Sequence, residues 1–217
     1  MLVSDVFKQI QADRPRLIYV SGKTCVGKST FAKRLHDNLG YEILELDQIV
    51  QEAVIRALRL PDEGEAFIEV YHGGRDRRLL DPFIIAVKSR IAAHLAAGDS
   101  LVIDGAIANP AIVTELFADF PTSLFIYFHP ADLERYQRNI ASRFLLATAE
   151  NRAGLPMAFW QLIGEDAFAA FCRNRQLTAH VKEAIRIYVR SSSKASTERL
   201  ARFRVFFPEL LLIEIYK

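Results

Sequence analysis

The sequence predicts an α/β fold: a doubly wound parallel sheet of about five strands, with helices on both faces and a helical, arginine-rich lid. Three observations predict it. Short apolar, β-branched and aromatic segments recur along the chain, at 17–20, 41–46, 100–103, 123–128 and 210–215. Between them run segments whose apolar residues fall three and four apart, the period of a helix packed on one side. Strands this apolar are buried on both faces, as in a parallel sheet covered by crossover helices.

Each element has its own signal. Met1 to Arg16 places Leu2, Val3, Val6, Phe7 and Ile10 at helical spacing, with Asp5 and Lys8 between them. It reads as an amphipathic covering helix, because a secretory leader needs an unbroken apolar stretch and small residues at a cleavage site. Leu17 to Val20 is the first strand, and Phe31, Leu35 and Leu39 mark a helix that Gly40 stops. Tyr41 to Leu46 is the second strand. Ile49, Val50, Ala53, Val54, Ala57 and Leu58 then form a helix that must end near Pro61. Residues 60–82 read as a loop or a short helix pair. Asp81-Pro82 opens a helix carrying Ile84, Val87, Ile91 and Leu95 on one face, with Gly98 at its end. Ser100 to Ile103 is a strand closed by Asp104-Gly105. Asn109-Pro110 pairs a capping residue with a first-turn proline, and Ser123 to Phe128 is the next strand. A helix from Pro130 to Phe144 turns Leu133, Tyr136 and Ile140 inward. Residues 144–176, interrupted by Gly154, Pro156 and Gly164, form a lid insertion of short helical pieces. Leu177 to Tyr188 is a helix, Ser191 to Lys194 a break, and Leu210 to Ile215 the last strand. Residues 1–217 make one domain by length.

Composition narrows the function classes. The chain has 217 residues, 51% hydrophobic and 25% charged, enough for a large core and unlike a disordered chain. A net charge of +2 gives no case for a nucleic-acid or membrane-surface partner, and no apolar run approaches the roughly 20 residues that span a bilayer. Two cysteines, Cys25 and Cys172, exclude a disulfide framework and fit a reducing, cytoplasmic setting. An oligomer is compatible with all of this.

The strongest motif follows the first strand. Gly22-Lys23-Thr24-Cys25-Val26-Gly27-Lys28-Ser29-Thr30 matches G-x-x-x-x-G-K-[ST] without a mismatch. Two glycines permit a tight turn, so successive N–H groups face inward as an anion nest. The helix behind it aims its positive end at the same point. Lys28 would reach the β- and γ-phosphates of a nucleoside triphosphate such as ATP, and the Ser29 hydroxyl would ligate Mg²⁺. Two acids follow strands and so face the same rim. Asp47 either addresses an acceptor hydroxyl or merely caps the helix that begins at Gln48. Asp104 either holds the Mg²⁺ shell or forms an Asp-Gly turn.

With these motifs the chain resembles the P-loop small-molecule kinases. Leu101-Val102-Ile103-Asp104-Gly105-Ala106-Ile107 is similar to their strand with an acidic-Gly end. Ile126 to Arg135, continuing to Arg143, is similar to their next strand and arginine-bearing lid helix. Tyr188 and Ser193-Lys194-Ala195 resemble the late helix of uridine-kinase-like enzymes, and Asp47-Gln48-Ile49-Val50 the second-strand end of dephospho-coenzyme-A kinases. The resemblance implies ATP- and Mg²⁺-dependent phosphoryl transfer to a small molecule, foremost a nucleoside-like acceptor. A coenzyme or nucleotide acceptor, or an NTP-driven regulatory switch, are its rivals.

Phosphoryl transfer also needs cations over the moving group. Residues 131–204 hold eleven Arg and two Lys against seven Asp or Glu. Arg138 and Arg143 on the lid helix are the first choices by motif position, with Arg173 and Arg175 behind them. Tyr71, His72, Arg75, Arg77 and Arg78 are candidates for binding the acceptor. No His/Cys/Asp spacing suggests zinc.

Overall fold

Burial on both faces shapes the sheet. In the computed structural model, which describes residues 1–61, 63–120 and 123–215, strand β1 (Leu17–Gly22) is buried at every position. It lies at the centre of a five-stranded, all-parallel sheet. The others are β2 (Glu42–Glu45), β3 (Leu101–Asp104), β4 (Leu124–Pro130) and β5 (Leu211–Ile215), in the order β2-β3-β1-β4-β5. Glu42 and Glu45, exposed on edge strand β2, discourage pairing with another chain there.

The helices cover opposite faces. On one lie α1 (Val3–Asp13), α2 (Lys28–Leu39), α7 (Leu133–Leu145), α8 (Met157–Ile163) and α9 (Glu165–Asn174), with the first half of α10 (Ala179–Phe206). On the other lie α3 (Leu46–Ile49), α4 (Glu63–Ile68), α5 (Arg77–Ala97) and α6 (Pro110–Phe117). The connection leaving β1 therefore passes over one face and that leaving β3 over the other. A crevice opens between their carboxyl ends, where ligands of such sheets bind. Among the described residues no helix is long and apolar enough to cross a membrane.

Residues 144–176 are held in the core by rings. Phe144 meets Phe171 at 4.3 Å between centroids, Trp160 meets Phe168 at 4.7 Å, and Phe159 stands edge-on to Tyr188 at 5.3 Å. Such pairs add roughly 0.5–1.5 kcal/mol each beyond the area they bury. Trp160 thus packs, its indole N–H donating to the Leu155 carbonyl.

Three local expectations are corrected. The expected break at Ser191–Lys194 lies inside the continuous α10. Serine weakens a helix when its hydroxyl competes for local backbone. Here Ser192 and Ser196 turn inward: Ser192 meets the Tyr136 hydroxyl at 3.1 Å, and Ser196 meets the Tyr127 hydroxyl at 3.2 Å and His129 Nδ1 at 3.1 Å. Helix α5 starts at Arg77, four residues before the expected Asp81, because Asp76 accepts the Arg78 N–H as its cap. Pro82 then sits in the second turn, where it forgoes one helical hydrogen bond. The helix after β2 begins at Leu46, so Asp47 lies in its first turn and is not its cap. Beyond them, α3 continues as a π-helical segment, Val50–Arg56, and α4 as another, Glu69–Gly73.

The inward serines give a test. Ser192→Ala leaves the buried Tyr136 hydroxyl short of a partner and should cost about 1–2 kcal/mol in urea unfolding. Lys194→Ala, exposed on the same helix, should stay within about 0.5 kcal/mol. Equal effects would show that the inward serines do not hold the helix in place.

Candidate active site

The site begins where β1 stops. Gly22 is paired with Phe128 on β4. It has a φ of +141°, and a Cβ on it would lie 2.5 Å from the Phe128 carbonyl oxygen. Only glycine lets the chain leave the sheet so close to its neighbour. Val26 is buried and anchors the underside of the loop, while Asn139 Nδ2 donates to the Cys25 carbonyl at 3.3 Å. Gly27, at φ +94°, hands the chain into α2, whose first turn no side chain caps. Those N–H groups lack intrahelical partners and, with the helix dipole, favour an anion. Gly22, Lys23, Thr24, Cys25, Val26, Gly27, Lys28, Ser29 and Thr30 thus form one turn. Residues 25–30 of it line a cleft of about 520 Å³ between α2 and α7. Burial pushes the Cys25 thiol up against the opposing pull of Arg143 and Lys28, which suits an inert side chain.

Sheet register brings the acids to the same rim. Asp104 pairs with Val20 on one side and Glu45 on the other, so β2 and β3 end level with each other, two residues short of where β1 ends. Asp47 follows two residues after Glu45, and its carboxylate accepts a hydrogen bond from the Tyr71 hydroxyl. Burial first, then the charge and hydrogen bond of Asp47, holds Tyr71 well above the usual tyrosine range, so it remains a donor. Lys28 Nζ donates to the Lys23 carbonyl at 3.0 Å. Burial lowers its pKa, and the charges of Asp104 and then Asp47 oppose that. Lys28, Asp47 and Asp104 therefore share one electrostatic neighbourhood.

The expected arginines divide. Arg143 lines the cleft and Arg138 does not; it is exposed on another face of α7. Arg135 lines the cleft and was not singled out in the sequence. The spacing of 135, 139, 142, 143 and 146, all lining residues, carries that signal. Arg173 is exposed, and Arg175 donates to the carbonyls of Ala147 (2.7 Å) and Leu145, closing the end of α7. Arg77 forks onto Glu115 and also pairs with Asp81, while Arg78 pairs with Asp76. Arg75 is exposed, its N–H bonded to Glu69.

Two arginines of α10 reach the site unforeseen. Arg199 is buried, and its Nη1 donates to the Ala106 carbonyl at 3.2 Å, just past Asp104. Its charge and that of Arg202 act on Lys23 and His72. Burial first, then Arg199 and Arg202, draws Lys23 down to about 8. Burial first, then Arg199, Lys23 and Arg202, draws His72 down to about 4. On the unbroken α10, Ser192, Ser196, Arg199 and Phe203 share one inward face at helical spacing, and that spacing is the signal in the sequence.

The sheet and loop define the class: a P-loop nucleotide-binding fold. The chain belongs to the AAA domain family, whose profile matches residues 17–155. Family match, loop and strand order bear out the resemblance to P-loop small-molecule kinases at the level of the fold. Similar solved structures include a sugar kinase from a Janibacter species, at 21% identity over 59% of this chain and 67% of that one, with a TM-score of 0.43. A gluconokinase from Sinorhizobium meliloti shows 11% identity over 94% of this chain and 84% of that one, at 0.46. A shikimate kinase from Bacteroides thetaiotaomicron shows 12% over 88% and 97%, at 0.42. No curated protein shows significant similarity to the sequence.

The lowered Lys23 has a measurable consequence. Between about 8 and its ordinary 10.5 the unfolded chain holds the proton more tightly than the folded one. Stability from this group therefore rises with pH across that window and is lost as pH falls through 8. Lys23→Met removes that contribution. The stability of wild type minus variant should climb from pH 8 to 10.5, and a flat difference would show Lys23 to be unperturbed.

Proposed function

We propose that the protein transfers the terminal phosphoryl group of ATP to a hydroxyl of a small molecule. The observation that carries this reading is the level ending of β2 and β3 beside β1, which sets Asp47 and Asp104 on the rim where their charges act on Lys28, next to an uncapped helix start. Loop amides and Lys28 grip the phosphates, and Lys28 exchanges its bond to the Lys23 carbonyl for phosphate oxygen. Ser29 and Asp104 offer a hydroxyl and a carboxylate, the oxygen donors Mg²⁺ takes alongside phosphates and water. Bound there, the ion would neutralise charge on the phosphoryl oxygens.

Asp47 would orient the acceptor hydroxyl and accept its proton, with Tyr71 holding the carboxylate in place. Arg143 and Arg135, on the cleft face of α7, would oppose the charge on the moving group. A nucleoside-like acceptor finds no stacking ring in Trp160, which is in the core, nor in Tyr71, which is tied to Asp47. The acceptor side is richer in charge than in open aromatic faces.

Acceptor-dependent release of ADP from ATP tests the reading directly; slow release indifferent to every acceptor would point to a switch. Lys28→Ala should lower kcat by ~100-fold or more with the melting temperature preserved. Asp47→Asn should lower kcat by ~100-fold or more and leave the KM for ATP nearly unchanged. A loss of thermal stability alone would reduce Asp47 to a structural residue. Arg143→Ala should depress kcat, whereas Arg138→Ala should not; the reverse would move the charge-stabilising role to the outer face of α7.

A further inference from the structure

Arg199 is a buried cation without an acid. It is 4% exposed, and among the described residues no carboxylate lies within salt-bridge distance of it. It donates to the Ala106 carbonyl, and the hydroxyls of Tyr127, Tyr19 and Tyr188 and the like charge of Arg202 act on it. Lys23, on the loop, adds to that cluster, and His72, at the rim and drawn down to about 4, joins it as a neutral hydrogen-bond donor. Asp47 and Asp104 act by charge on Lys28, as Arg199 does, and neither acid forms an ion pair with Arg199. A desolvated charge is costly unless paired, and removing an ion's partner generally destabilises a protein. An arrangement of this kind is complete only with an anion.

The fold says where the anion would sit. His72 follows Tyr71, whose hydroxyl holds Asp47. Arg199 is tied to Ala106, two residues past Asp104. Lys23 precedes Cys25–Thr30 in the loop and is not among the residues lining the cleft between α2 and α7. The cluster thus joins the acceptor-side segment to the loop. Arg77 and Arg78, the other arginines of that segment's end, are engaged by Glu115, Asp81 and Asp76.

We propose that Lys23, His72, Arg199 and Arg202 form a seat for an oxyanion, a carboxylate or phosphate ester, carried by the phosphoryl acceptor. Resting on the transfer reading above, this narrows the acceptor to a hydroxy acid or a phosphorylated alcohol. Guanidinium groups suit both, because their planar N–H pairs match carboxylate and phosphate oxygens.

The test fills the nucleotide seat first. Protein saturated with a non-hydrolysable ATP analogue and Mg²⁺ is melted with inorganic phosphate or with sodium chloride at equal ionic strength. Phosphate should raise the melting temperature beyond chloride. Arg202→Gln and His72→Gln, both exposed positions, should abolish that increment and keep the shift caused by the analogue. Equal effects of phosphate and chloride, or an increment unchanged in both variants, would overturn the seat. Loss of the analogue's shift instead would assign the cations to the nucleotide. Arg199→Met adds a control, since removing an uncompensated charge should leave the ligand-free protein at least as stable, whereas a purely structural arginine would lower it.

Turnover then separates the two readings. Matched acceptors, a sugar against its acid and a nucleoside against its 5′-monophosphate, should show about tenfold lower KM for the anionic member. Arg202→Gln should erase that preference with kcat retained. If no acceptor of either kind draws ADP release, the transfer reading fails while the phosphate melt still decides the seat. If neutral and anionic acceptors turn over alike, the transfer reading stands and the seat falls.

Discussion

Everything at the site depends on one close approach. β1 ends with its last residue flush against the Phe128 backbone, in a conformation closed to any side chain. The chain must therefore turn away at once. It does so over Val26, buried beneath it, and enters α2 at Gly27 with no side chain to cap the new helix. Main-chain donors that a cap would have satisfied are left facing the turn. A polyphosphate is the kind of group that answers them, since it brings several acceptor oxygens and negative charge to a positive helix end.

Charge is then sorted by topology. Because β2 and β3 end level beside β1, the charges of their acids, Asp47 and Asp104, act on Lys28. Because α10 runs unbroken from the aromatic core of one face to Phe203 on the other, it brings Arg199 to the Ala106 carbonyl after β3 and the charges of Arg199 and Arg202 to bear on Lys23. The inward hydroxyls of Ser192 and Ser196 fix that path by meeting tyrosines from α7 and β4. Structure that looks remote from the chemistry thus decides where the cations stand.

Much of this was legible in the chain. Five apolar segments and the helical periods between them announced the parallel sheet, and the Gly22 to Thr30 motif announced the turn. What escaped notice was tertiary. A run of serines reads as a break by local propensity, and only packing against Tyr136 and Tyr127 reverses that preference. A break there leaves Arg199 with no helix face to lie on. Likewise Asp47 could be read as a cap until Leu46 was seen to start the helix, and Arg138 ranked with Arg143 although the two lie on different faces of α7. Glu115, far along the chain, occupies Arg77 and no local pattern announces it, whereas Asp81 and Asp76, which also hold Arg77 and Arg78, are close neighbours in sequence.

The most direct test of the central claim is calorimetric titration of the protein with adenosine, AMP, ADP and ATP in the presence of Mg²⁺. If the turn after β1 is built for a polyphosphate, affinity should rise steeply with phosphate number, ATP and ADP binding far more tightly than AMP, and adenosine giving almost no heat. Comparable affinity for AMP and ATP would place recognition on the base and sugar and contradict the account.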